Sequence, residues 1–203
     1  MKKIFLIIIA GTLLAATSCN LFDKEDEINP DNTLAKEGNS WTASAVDMPQ
    51  AEITVTKNEN GIANAAVKYD GQTYEIKAKV TESQIYDFVY SDGDESKPFL
   101  LCDFDAEEGD KWEYNIGNQK VVREVTHKST EDDTFLGAFW LMVKVTEVEE
   151  TVPAGATVMG FQTGEVKKII WRFNHKFGFV SATVIKSDDS EVNITLDDTN
   201  VAK

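Results

Sequence analysis

Residues 62–80 read I-A-N-A-A-V-K-Y-D-G-Q-T-Y-E-I-K-A-K-V, and this stretch decides the fold. On both sides of Asp70-Gly71, small or apolar residues alternate with polar ones at a period of two, the pattern of half-buried strands. Tyr74, Ile76, Ala78 and Val80 point one way, and Thr73, Glu75, Lys77 and Lys79 the other. Asp70-Gly71 is a two-residue hairpin signal, because a type I′ turn requires positive φ at both central positions. Pairing 69 with 72 sets Val67 against Tyr74, Ala65 against Ile76 and Ala63 against Ala78. The register therefore closes on one apolar face.

Upstream, a strand carrying Ile53 and Val55 joins through Asn58-Glu59-Asn60-Gly61. A four-residue loop would oppose Val55 to Asn64. A three-residue loop over 59–61 opposes Val55 to Ala65 and Ile53 to Val67, with Gly61 in the left-handed bulge position, and is the expectation. Downstream, 85–90 and 98–104 read as strands joined by a polar loop around Asp92-Gly93-Asp94, with a capping-box spacing at 81–84 that also fits a short helix. Glu107-Glu108-Gly109-Asp110 turns the chain into Trp112 and Tyr114, then a strand at 120–129. The run from Phe135 to Val148 reads as one long strand, with Leu141, Val143 and Val145 on one face and Trp140 and Met142 on the other. Val152-Pro153-Ala154-Gly155 breaks it. Three strands follow, at 166–173, 177–186 and 191–197. The turn Ser187-Asp188-Asp189-Ser190 sets Ile185 opposite Val192 and Thr183 opposite Ile194. No long mature stretch carries a helical period. The expected fold is all-β, about nine to eleven antiparallel strands in one domain over 41–203, curled into a half-barrel or barrel, with a sandwich as the alternative.

The composition fits an exported domain with a core of its own. Residues 1–18 form a leader: Lys2 and Lys3, an apolar run from Ile4 to Leu14, then small residues. Its removal leaves 18 basic against 35 acidic side chains, moving the net charge from −15 to −17. That excess excludes nucleic acid and electrostatic adsorption to anionic lipid. Only Cys19 and Cys102 are present, so with Cys19 engaged as below no intramolecular disulfide is available and stability rests on the apolar 42%.

Ala15-Ala16-Thr17-Ser18-Cys19 resembles the lipobox of bacterial lipoproteins, with Ala16 where Leu is usual. The resemblance implies diacylglycerol and palmitate on Cys19, which becomes the mature N-terminus and attaches the chain to the lipid bilayer. Lys24-Glu25-Asp26-Glu27 resembles the sorting signal of Bacteroidota surface lipoproteins, implying an outer-membrane, surface-exposed location. Residues 19–40, polar and without period, read as a lipidated tether. The order Gly109-Asp110-x-Trp112, a strand pair, Ile170-Trp171 and Phe177-Gly178-Phe179-Val180 is similar to a pattern in uncharacterised Bacteroidota lipoproteins. It implies a sheet curved around an apolar face, as in periplasmic lipoprotein carriers.

Chemistry-bearing motifs are scarce. There is no G-x-S-x-G, and Cys102 sits in an apolar run as a packed thiol. His127 and His175 have no second ligand at zinc spacing, and His175 reads as an exposed turn residue. The acidic stretch 103–110 fails the calcium-loop template, with Glu108 at the sixth position and Tyr114 at the twelfth. The expectation is no catalytic residue, no metal and no cofactor. Trp112 and Tyr114, after a glycine turn, are the candidate ligand-binding pair for a glycan or protein, their faces able to stack or to line a mouth. The functional expectation is a non-enzymatic binding lipoprotein; the alternative is an apolar-ligand carrier or sensor using the concave face of the sheet.

Cys19→Ala should release the protein from the membrane fraction at high salt, because stable anchoring takes the acyl chains on that residue. Alanines at 24–27 should leave it in that fraction but shield it from protease added to intact cells.

Overall fold

The Asp70-Gly71 turn forms as its sequence dictates, both residues at positive φ (49° and 75°). The pairs Tyr69↔Gln72, Val67↔Tyr74, Ala65↔Ile76 and Ala63↔Ala78 follow in register. The computed structural model describes residues 34–59, 61–153, 157–158, 161–162 and 165–201. The leader, Cys19 and Lys24–Glu27 lie outside the described residues.

The strands in chain order are β1 (Ser40–Ala45), β2 (Ala51–Glu59), β3 (Ile62–Tyr69), β4 (Gln72–Val80), β5 (Gln84–Asp87), β6 (Phe99–Asp103), β7 (Lys111–Ile116), β8 (Gln119–Lys128), β9 (Thr134–Leu136), β10 (Leu141–Val143), β11 (Thr146–Thr151), β12 (Thr157–Val158), β13 (Phe161–Gln162), β14 (Val166–Asn174), β15 (Gly178–Lys186) and β16 (Glu191–Thr199). Twelve form one sheet in the order β6-β5-β4-β3-β2-β1-β16-β15-β14-β11-β8-β7, every neighbour antiparallel. It is an up-and-down meander curled into a nearly closed barrel, with the first and last strands side by side and the gap between β6 and β7. The pairs β9–β10 and β12–β13 are separate two-stranded ribbons between β8 and β11 and between β11 and β14.

The inward rows make the core. β2 and β3 bury Ala51, Ile53, Val55, Ala63, Ala65, Val67 and Tyr69; β14 and β15 bury Ile169, Trp171, Phe173, Phe179, Ala182 and Val184. The many alanines on one wall leave room for the large rings of the other, the small-against-large filling a barrel interior needs. Cys102 is buried within this core as a free thiol, and burial pushes its pKa well above the usual value.

Four expectations are corrected. Val55↔Ala65 and Ile53↔Val67 hold, but Glu59 pairs with Ile62. The extra residue is absorbed by a bulge between Val55 and Lys57, not by a three-residue loop over 59–61. At 187–190 the register is one residue off, with Val184↔Val192 and Ala182↔Ile194. There Asp189 takes a left-handed φ of 63° and Asp188 accepts the Ser190 N–H, which closes the loop on Lys186 and Ser190. The tether expected over 19–40 ends earlier: Leu34 and Ala35 are buried, and Asn58 Nδ2 donates to the Ala35 carbonyl. The run 135–148 is not one strand. Trp140 adopts φ 54°, and the chain reverses through a 3-10 turn at Gly137–Phe139, so that Leu136 pairs with Leu141.

Antiparallel alternation places Ser40, the β14–β15 turn and the root of the β9–β10 ribbon at one end of the barrel. Trp41 Nε1 donates to the Phe177 carbonyl (3.2 Å), and the Phe139 and Phe177 rings lie 4.9 Å apart. At the ribbon's turn, a Cβ on Gly137 would sit 3.0 Å from the Leu196 carbonyl oxygen, an approach that favours glycine.

Gly71→Val has open space around it, so its cost is purely the positive φ. It should destabilise by about 1–3 kcal/mol, read as a lower urea midpoint at unchanged slope.

Candidate binding site

β6 and β7 do not pair, yet Leu100 of β6 has both backbone groups satisfied. Its N–H donates to Tyr114 Oη (2.6 Å), and its carbonyl accepts from Trp112 Nε1 (2.5 Å) and from Arg123 Nη1 (2.8 Å). Side chains of β7 and β8 thus stand in for the missing strand ladder. Phe99 packs edge-on against Tyr114 with centroids 4.6 Å apart. The candidate ligand-binding pair, Trp112 and Tyr114, is therefore placed at the barrel seam. Both are half-buried and their polar atoms are engaged by Leu100.

Behind the seam lies a buried ionic cluster. Arg123 Nε donates to Glu150 Oε2 (2.7 Å) and Nη2 to Asp87 Oδ2 (2.6 Å), with all three side chains almost fully buried. Tyr90 Oη donates to Glu150 Oε1 (2.5 Å), and Trp171 Nε1 reaches Glu150 Oε2 at 3.4 Å. Burial opposes the charge on Arg123, but Asp87 and Glu150 beside it raise its pKa above the usual value. Burial raises the Asp87 pKa, against the pull of Arg123, and burial followed by the charge of Glu150 pushes the Tyr90 phenol well up.

This cluster shapes the outer wall. Asp87 ends β5 and accepts the Val89 N–H (3.0 Å), while Tyr90 is drawn to Glu150, so the chain turns inward at Phe88–Ser91. β5 consequently pairs with β4 only at Ala78–Val80. A two-residue turn makes Tyr69 and Gln72 a hydrogen-bonded pair, so by alternation Thr73, Glu75 and Lys77 direct N–H and C=O away from β3. That edge of β4 is not covered by a strand. Between it and the turn lies a pocket of about 380 Å³, lined by Ile76, Phe88 and Val89 with Asn64, Glu75, Lys77 and Asp92 among its polar groups. Lys77 is also paired to Glu95 (2.6 Å). Sequence reasoning missed this site; its only signal was the shortness of 85–90 against the nine-residue β4.

Elsewhere the acidic loop is used internally. Glu108 accepts the Lys128 N–H and lies 3.1 Å from His127 Nδ1, and Asp110 accepts the Glu107 N–H. Among the described residues, no three His, Cys, Asp or Glu side chains converge as metal ligands. His175 is an exposed turn residue. Although the residue as a whole is exposed, its ring is partly shielded from water, and this, with Lys176 and Lys144 nearby, holds it below the ordinary imidazole value.

Arg123→Met should cost about 3–5 kcal/mol by leaving two buried carboxylates unpaired. Adding Asp87→Leu and Glu150→Met should recover much of it, measured by urea denaturation of the single and triple variants.

No family model matches the chain, and no curated protein matches it. Among solved structures, one from Bacteroides fragilis, described by its name as an exported protein with a YmcC-like fold, superposes with a TM-score of 0.50 at 12% identity, covering 81% of this chain and 96% of its own. A second, described as a lipoprotein from Parabacteroides distasonis, gives a TM-score of 0.44 at 10% identity, covering 82% of this chain and 96% of its own. At such identities the likeness is one of architecture: the chain is similar in fold to the YmcC-like protein.

Proposed function

We propose that the chain is a non-enzymatic lipoprotein of the cell envelope, anchored in the outer membrane through Cys19 and displayed at its surface, whose barrel is a binding module for an envelope or host partner. The lipobox-like sequence and the Lys24–Glu27 cluster support the anchoring and display. The fold shared with a protein described as exported is in keeping with an envelope location.

The observation that carries the binding reading is the uncovered edge of β4 beside the 380 Å³ pocket. An open edge offers backbone donors and acceptors to an extended segment of polypeptide, while Ile76, Phe88 and Val89 supply an apolar floor for alternate side chains. An apolar-ligand carrier fits less well, because the rings of β14 and β15 and the Arg123 cluster occupy the concave face.

The test uses Lys77→Pro, which removes an edge N–H that β3 does not need and is of the kind edge strands tolerate. An extended-peptide library and a glycan array are screened against the mature protein. A peptide ligand whose affinity falls at least about tenfold in the variant, at a nearly unchanged melting temperature, supports the reading; a tenfold loss is 1.4 kcal/mol. Ligands that bind wild type and variant equally overturn it.

A further inference from the structure

We propose that the β9–β10 ribbon seats the barrel on the lipid bilayer that holds Cys19, an inference that rests on the lipid anchor proposed above. Four large apolar side chains are exposed together there: Trp140 at 86%, Phe135 at 54%, Met142 at 46% and Leu141 at 38%. Folding accounts for the face that Leu141 shares with Leu136 and Val143, because those two are buried in the core. It does not account for the opposite face, which carries Phe135 and Met142, or for Trp140 at the turn. Trp140 even sits at φ 54°, a strained setting for a bulky residue whose side chain makes so little use of the protein interior.

Two observations name the occupant. The first is position. The chain enters the barrel at this same end, where Trp41 bonds the Phe177 carbonyl and the Phe177 ring packs on Phe139 of the ribbon. Fourteen residues, 20–33, separate Cys19 from Leu34, so even fully extended they hold this end within about 55 Å of the anchor. The second is chemistry. T-F-L-G-A-F-W-L-M-V over 134–143 carries no charge in a chain of net −15. A Trp set among Phe, Leu and Met side chains is the composition that settles at the level of lipid headgroups. Glu131, Asp132 and Asp133 just upstream disfavour a strongly anionic surface and leave a zwitterionic one open. Each contact is weak, but the acyl anchor makes it intramolecular, so a modest apolar ribbon suffices.

The test uses full-length lipidated protein, purified from membranes and reconstituted in vesicles of phosphatidylethanolamine and phosphatidylcholine with brominated acyl chains. Wild type should float with the vesicles and show bromine quenching of tryptophan emission. Trp140→Ser should float equally and lose most of the quenching, and Met142→Lys should float and lose part of it. Flotation without quenching overturns the seating while leaving the anchor intact, as does quenching unchanged by Trp140→Ser. Failure to float overturns the anchor and the seating together. An envelope protein that shields Trp140 from a water-soluble quencher, while the vesicles neither shield it nor quench it through their bromines, would make the ribbon a protein contact and overturn the proposal.

Discussion

Arg123 is the constraint on which the rest of this barrel depends. From β8 it holds Asp87 at the end of β5, Glu150 on β11 and the backbone carbonyl of Leu100 on β6. Those strands lie on both sides of the gap. A guanidinium suits the task because its donors diverge in a fixed plane and remain charged when buried. Buried ion pairs add little net stability compared with apolar residues of the same volume, so the contribution here is one of position. The cluster fixes where the sheet stops and how its two free edges meet.

From that position the surface follows. The pull on Asp87 and Tyr90 draws the chain off β4 and opens the pocket, and the short β6 leaves Leu100 to the side chains of Trp112 and Tyr114. A barrel closed by an unbroken ladder would have neither an uncovered edge nor a recess. The pocket on the wall and the apolar ribbon at the entry end are separate features. A domain resting on the ribbon leaves the wall of β4 accessible from the aqueous side.

Much of this was legible in the chain because strands with one buried face carry their register in their alternation. The Asp70-Gly71 hairpin could be read to the residue, and so could the pairing of Val55 with Ala65 and of Ile53 with Val67. Two of the four failures were places where one residue takes a left-handed conformation that the surrounding pattern does not announce. Asp189 shifts the last hairpin by one position, and Trp140 breaks a run whose alternation otherwise reads as continuous strand. The pocket was illegible for a different reason. Val89 is brought to the register pair Asn64 and Lys77 by a turn whose direction is set by Arg123, far away in sequence. Trp112 and Tyr114 drew notice for their aromatic faces, yet their hydrogen-bonding tips fix their place.

The pairing of β1 with β16 has a consequence for how the chain comes to be folded. Trp41 and Thr199 are register partners, so the first strand made waits for the last. Until then the growing sheet has an unpaired flank at β1, and nothing upstream among the described residues can cover it. Such non-local closure slows folding and prolongs exposure of sticky edges during synthesis. A nascent chain of this topology gains by staying extended until its C-terminus is free, and a truncation that removes only β16 would strip two strands of their neighbour at once.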